Sequence, residues 1–481
     1  MNTKMIRYIL CRMLGVEAVL LLIPALVSAL YREISGVAFL IPSAILFLLF
    51  FLAGMKKPEQ SHIYGKEGMV IVALAWILWS LFGAMPFTIA GYIPNYLDAF
   101  FETVSGFTTT GSSILRDVEA LPQGLLFWRS LTHWIGGMGV LVFVLVLTSL
   151  DKKNSMYLMR AEVPGPEKDK LVPKAMSTAR ILYGMYLIMT VVEMIFLMLG
   201  GLSLFDSMIF SFGSAGTGGF SNYSDSVAHF NSAYIDGVVT VFCALFGVNF
   251  SLFYFMLLGD FKSVRKNVEL RTYILMIAGA TALITANIHS MFPTIGKAFR
   301  YAVFQVVTII TTTGYATTDF AKWPMFSRAI IMMLTVVGAC ASSTGGGIKV
   351  SRLLVGIKCV KREIVQLAHP KSVGIIQIGG KKVSSDVLRT IYIYFIAYIG
   401  ILISSILLVS LDNFDFETTF SAVLTTLGNV GPGMAKVGPM GNFADFSPLS
   451  KLVLCFDMLA GRLEIFPFLV LFTAPAWRRK F

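Results

Sequence analysis

The tetrapeptide Thr108-Thr109-Thr110-Gly111, inside ETVSGFTTTGSS (102–113), returns as Thr311-Thr312-Thr313-Gly314 inside VVTIITTTGYATT (306–318). Both copies sit among long apolar runs. An irregular Thr/Gly backbone leaves N–H and C=O groups that hydrocarbon cannot satisfy. Such backbone is tolerated at membrane depth only where protein buries it or where it lines a water path. The two stretches therefore predict a polar axis inside an apolar protein.

The surrounding chain has 481 residues, 56% of them hydrophobic and 14% charged. Ten apolar runs, near 13–30, 36–54, 69–89, 124–149, 181–201, 233–258, 272–290, 329–358, 389–410 and 449–473, are each long enough to cross roughly 30 Å of hydrocarbon as a helix. The first could be read as a signal peptide with Val27-Ser28-Ala29 at its cleavage site, but its length favours an uncleaved helix. Most of the 39 Lys and Arg fall in 1–7, 55–66, 151–180, 261–271, 349–389 and the C-terminal tail. Ten crossings put these segments and both termini on one face, which the positive-inside rule makes cytoplasmic. The net charge of +12 is then a consequence of topology, and no nucleic acid is needed to explain it. The five cysteines form no CxxC and the five histidines no HExxH, so neither zinc nor a disulfide framework is indicated. The polar stretches 151–180 and 361–389 are too short to fold alone, so any regulatory or energy-coupling domain belongs to another chain.

Two further segments match the Thr/Gly stretches in position: IFSFGSAGTGGFSN (209–222) and AVLTTLGNVGPGM (422–434). Anchored on Gly111, Gly218, Gly314 and Gly431, the four recur at comparable intervals, each between two spanning helices. The unit is helix, re-entrant segment, helix. Before each glycine cluster the chain can form a short half-helix, with Phe100, Phe101 and Val104 giving it an apolar side in one unit and Phe304, Val307 and Ile310 in another. The expected architecture is an all-α polytopic membrane protein. Two N-terminal helices (1–60) precede four pseudo-repeats around one central pore, at 61–151, 152–260, 261–360 and 361–481.

A desolvated cation needs a cage of oxygens, and backbone carbonyls from four loops supply one in potassium channels. Glycine reaches the required dihedrals at low cost, and the half-helix C-termini aim about half a negative charge each at the axis. With these four loops, GACASSTGGGIKVSR (338–352) and MLAGRLEIFP (458–467), the chain resembles the Trk/Ktr/HKT superfamily of potassium transporters, and within it the TrkH/TrkG type, over nearly its whole length. The resemblance implies potassium uptake across the bacterial cytoplasmic membrane, with no cofactor and potassium as the substrate. It places the selectivity filter at Thr109, Thr110, Gly111, Gly216, Thr217, Gly218, Thr312, Thr313, Gly314, Asn429, Val430 and Gly431. Glycine in all four units is the pattern tied to potassium preference; a serine in the first is linked to sodium passage. Gly216, standing where two units have threonine, and the lack of threonine beside Gly431 are departures that put selectivity in question. A sodium-coupled or weakly selective pore of the same fold is the alternative.

Below the filter, Ala341-Ser342-Ser343-Thr344-Gly345-Gly346-Gly347 interrupts an apolar run. Each glycine costs a helix interior roughly 1 kcal/mol, so an unwound intramembrane loop is expected; close packing of small residues is the competing reading. Gly346 lies 32 residues past Gly314 and Arg462 31 past Gly431, which puts the two at similar depth. Loop and guanidinium at one level predict a gate, a role the resemblance also implies. Glu464 or Asp457 could instead neutralise Arg462 as a structural pair. Lys349 is a weaker gate candidate, since it could snorkel to the cytoplasmic surface. STGGGIK (343–349) lacks phosphate-loop spacing, no GxSxG occurs, and Ser105 and His133 read as bundle contacts, so an enzyme is not expected. The basic segments 151–180 and 361–389 are candidate docking surfaces. The resemblance implies a homodimer and a TrkA-type cytosolic ring that binds nucleotides.

Overall fold

The computed structural model describes residues 1–59, 63–139, 175–372 and 374–477. Two helices lead, α1 (Thr3–Leu30) and α2 (Val37–Leu49). Four units follow, each an outer helix, a half-helix and a closing helix. Unit 1 is α3 (Gly65–Ile89), α4 (Tyr96–Phe107) and α5 (Gln123–Gly137). Unit 2 is α6 (Ala175–Leu199), α7 (Leu204–Gly216) and α8 (Ala233–Phe246), continued by α9 (Phe250–Leu257). Unit 3 is α10 (Val268–Ile288), α11 (Ile295–Ile310) and α12 (Met325–Val337), followed by α13 (Val350–Ala368). Unit 4 is α14 (Ser385–Val409), α15 (Phe416–Gly428) and α16 (Pro448–Arg462). A two-stranded antiparallel hairpin, Gln377–Ile378 with Lys381–Lys382, precedes unit 4.

The half-helices start where the sequence supplies a capping oxygen. Asn95, Ser203, Thr294 and Asp415 each accept a hydrogen bond from a backbone N–H in the first turn of α4, α7, α11 and α15. That satisfies one of the orphan donors at each start.

Among the described residues six helices are long and apolar enough to cross a membrane unbroken, seven if α8 and α9 count as one. Ten unbroken crossings were expected; among the described residues the closing helices of units 2, 3 and 4 are not continuous. The run 233–258 bends by 90° between α8 and α9. Its partner 329–358 splits into α12 and α13, and 449–473 breaks after Arg462, where Glu464 and Ile465 take positive φ. The remainder of 124–149 and most of the polar stretch 151–180 lie outside the described residues. Broken ends expose backbone carbonyls, and all the described breaks lie inward of the outer helices, where protein can meet them.

The units are stitched in sequence around the axis. The fourth residue of α8, α12 and α16 is charged, and each pairs with the half-helix of the following unit. Asp236 meets Arg300 at 3.2 Å, Arg328 meets Glu417, and Lys451 meets Asp98 at 2.6 Å, closing from unit 4 back to unit 1. The same position in α5 is Leu126, so the seam from unit 1 to unit 2 is made differently. The leading helices join the core: α1 lies so close to α5 that a Cβ on Gly124 would collide with Ser28.

Glycine marks the tightest helix crossings, and these predict their own test. A Cβ on Gly136 would lie inside 3.0 Å of the Phe107 carbonyl, which is backbone and cannot swing away. Gly136→Ala is expected to cost about 1–3 kcal/mol through overpacking. Gly279, inside α10 with nothing within 4 Å of its would-be Cβ, is the control; alanine there should be neutral or stabilise by about 0.5–1 kcal/mol. Thermal unfolding in detergent should lower the midpoint for the first only.

Candidate functional site

All four half-helices end in the same way. The N–H groups of Thr109, Thr217, Thr312 and Asn429 donate to the carbonyls of Gly106, Ser214, Ile309 and Thr426 at 3.0–3.2 Å. The next N–H, on Thr110, Gly218, Thr313 and Val430, reaches back to Ser105, Gly213, Thr308 and Thr425 at 2.7–2.9 Å. This is the Schellman arrangement, which requires a left-handed residue just past the helix. Thr109, Thr217, Thr312 and Asn429 adopt φ of 54°, 55°, 60° and 55°. Asparagine tolerates that region; a β-branched threonine there is an outlier. Two residues on, Gly111, Gly219, Gly314 and Gly431 are again left-handed, at 82°, 78°, 79° and 96°.

This backbone corrects the register of unit 2. The residue standing where Gly111 stands is Gly219, not Gly218, and Gly216 is the last residue of α7. The equivalent triplets are Thr109-Thr110-Gly111, Thr217-Gly218-Gly219, Thr312-Thr313-Gly314 and Asn429-Val430-Gly431. The departure at Gly216 therefore disappears, because threonine fills the first position in three of the four units. The sequence GTGG offers two glycines to the eye, and only the dihedrals tell them apart.

The four triplets close into a ring. A Cβ on Gly111 would fall inside 3.0 Å of the Gly218 carbonyl oxygen, one on Gly219 would strike that of Thr313, one on Gly314 that of Val430, and one on Gly431 that of Thr110. Each glycine thus lets its Cα lie against the neighbouring unit's carbonyl, in the order 1, 2, 3, 4 and back to 1. Thr109, Thr110, Thr217, Thr312, Thr313 and Asn429 are fully buried. No charged side chain belongs to the ring. Its chemistry is carbonyl and hydroxyl oxygen at the negative ends of four helices, which suits a cation.

Directly beneath lies the break between α12 and α13. Several of its backbone groups are met by neighbouring elements. Gly346 N–H donates to Thr312 Oγ1 of the ring at 2.7 Å, and a Cβ on Gly346 would meet Gly428 O at 2.6 Å. The Cys340 N–H donates to Gly247 O at 3.1 Å, and Ser342 O accepts from the Phe250 N–H at 3.1 Å, so the loop rests in the bend between α8 and α9. Glu269 holds both ends, accepting from the N–H of Ala341 at 2.7 Å and of Ser351 at 3.1 Å. Lys349 does not snorkel outward: it is 8% exposed and its Nζ folds back to the Gly345 carbonyl.

Arg462 sits at the same level and bridges the loop to unit 1. Its Nη1 donates to Thr344 O at 2.6 Å; its Nη2 donates to Gly136 O at 2.5 Å and Gly137 O at 2.8 Å. The latter are the C-terminal carbonyls of α5, a favoured place for a cation. Glu464 is engaged by Arg352, and Asp457 accepts from Ser405 Oγ. Ser105 and His133 share Gly106 as a neighbour: His133 Nδ1 contacts Gly106 O at 2.7 Å and its ring stacks on Phe220.

Sequence reasoning passed over three contributors. Glu269 and the pair Glu102–Arg129 were visible only as charges in apolar segments, a signal of function in itself, but nothing in the sequence names their partners. Gly219 was hidden by its neighbour.

A family model described as TrkH, cation transport protein, matches residues 36–478. The Trk system potassium uptake protein TrkH of Escherichia coli K12 is 35% identical over 468 residues, 95% of this chain and 96% of that one. TrkG of the same strain is 32% identical over 99% of this chain and 100% of its own. The crystal structure of the potassium transporter TrkH from Vibrio parahaemolyticus superposes with a TM-score of 0.89 at 32% identity, covering 99% of this chain and 100% of that one.

Removing the Glu269 carboxylate leaves the Ala341 and Ser351 amides without their acceptor. Glu269→Ala should speed hydrogen–deuterium exchange across 338–351 by roughly tenfold, the scale of one charge-assisted hydrogen bond. Exchange in α10 away from the loop should stay unchanged.

Proposed function

The chain belongs to the TrkH family of cation transport proteins, and on that premise we propose that it takes up potassium through the ring of four left-handed triplets. It is a polytopic membrane transporter and not an enzyme. The observation that carries the proposal is the closed contact of Gly111, Gly219, Gly314 and Gly431 with the carbonyls of the neighbouring units. In this reading Thr109, Thr110 and Gly111, Thr217, Gly218 and Gly219, Thr312, Thr313 and Gly314, and Asn429, Val430 and Gly431 replace the hydration shell of the ion. A sodium-coupled or less selective version draws support from the second ring position, which holds Thr110, Gly218, Thr313 and Val430 rather than one residue type.

The loop 338–349 is the gate. Lying against Thr312 and Asn429, it stands in the path of an ion leaving the ring. Arg462 latches it shut through Thr344 O and adds a positive charge at the exit. Opening requires those bonds to break. Because α13 begins one residue after Lys349, a pull on α13 reaches the loop directly. A TrkA-type nucleotide-binding partner docking on the basic stretch 361–389 would supply that pull, in a homodimer whose termini face the cytoplasm of a bacterial cell. The other basic stretch, 151–180, lies outside the described residues up to 174.

Potassium and sodium flux into proteoliposomes tests the filter. Gly111→Ser and Gly219→Ser should each lower the potassium-to-sodium ratio by roughly tenfold; unchanged ratios in both would remove these glycines from the filter. For the gate, Arg462→Ala should raise flux without the partner and blunt its effect. Wild-type conductance together with wild-type regulation would sink the latch.

A further inference from the structure

We propose that Glu102 and Arg129 form a positioning pair that fixes the width of the ring at the seam between units 1 and 2, and so sets discrimination between potassium and sodium. The inference rests on the transport function proposed above. Three seams carry their ion pair at the fourth residue of the closing helix. At the fourth seam that position is Leu126, and the charge appears three residues further on, at Arg129.

Arg129 Nε donates to Glu102 Oε1 at 2.6 Å, with the two side chains 4% and 0% exposed. Glu102 in turn accepts from Ser113 Oγ at 3.0 Å and from the Ile114 N–H at 2.9 Å. These residues follow Gly111 on the way out of the ring. Arg129 Nη1 donates to Ser221 O at 2.8 Å, two residues beyond Gly219. One guanidinium fork therefore ties the exit strand of unit 2 to the carboxylate that holds the exit strand of unit 1. A ring that can narrow at this seam would fit the smaller sodium ion; a rigid planar fork resists that. Phe220 completes the clamp. The guanidinium carbon lies 3.6 Å from the centre of its ring, which also stacks with His133 at 4.1 Å. His133 leaves no room for a Cβ on Gly218. Burial keeps the pair from being screened by salt.

A purely structural pair would affect folding and leave selectivity alone, so the test separates the two. Reversal potentials in planar bilayers would be measured for R129K, which keeps the charge but loses the fork, and for the neutral double variant E102Q/R129Q, which leaves no lone buried charge. Both should lower the potassium-to-sodium permeability ratio by roughly tenfold in protein whose thermal midpoint matches wild type. Folded variants with the wild-type ratio would overturn the proposal. F220L touches neither charge and decides the matter where a charge variant fails to fold: it should move the ratio the same way, and an unmoved ratio counts against the clamp. A wild type that passes no potassium would instead sink the function on which this rests.

Discussion

Backbone inside a membrane must find its hydrogen bonds within the protein, and four half-helices that stop inside the bundle make that requirement acute. The Schellman turn meets it at every one of them, by returning two N–H groups to the last carbonyls. The turn is costly, because it sets three threonines and an asparagine in left-handed backbone, at roughly 1–2 kcal/mol for each β-branched residue. Everything around the ring serves to hold that conformation. The half-helices fix where the turns begin, and the neighbouring unit's carbonyl closes over each following glycine. The outcome is an array of oxygens that no single unit could maintain.

The pseudo-fourfold pattern is kept where the ring demands it and broken elsewhere. Capping oxygens open all four half-helices and left-handed caps end them. The closing helices then diverge. One is bent by 90°, one is interrupted by a loop from Gly338 to Lys349, and one stops at Arg462. A closed ring needs repetition, because each unit's glycine must receive the next unit's carbonyl. Confining the loop to unit 3 and the guanidinium to unit 4 lets the repeats share a scaffold without sharing a role.

Ring and loop are not independent layers. Gly346 donates to Thr312, whose own backbone is one of the strained left-handed turns. A Cβ on Gly346 would lie 2.9 Å from Asn429 Cβ, and Asn429 Nδ2 donates to Thr110 Oγ1 at 3.0 Å and Met458 O at 2.9 Å. A displaced loop would leave these two ring residues with altered neighbours.

Much of this was legible in the sequence. Apolar runs, their basic flanks and four Thr/Gly clusters fixed the class, the repeat and the broken span of unit 3, because hydrocarbon tolerates so few backbone solutions that composition alone selects among them. Three glycines in succession at 345–347 announced a loop for the same reason. The tertiary structure decided what depends on neighbours distant in the chain. It chose Gly219 over Gly218, since adjacent glycines differ only in φ and in what presses on them. It turned Lys349 inward, set Arg352 against Glu464 and stretched Arg462 between the loop and α5. Glu102 found Arg129 because two helices of unit 1 cross there. A charge in an apolar segment declares that it must have a partner; which one it takes is settled by packing.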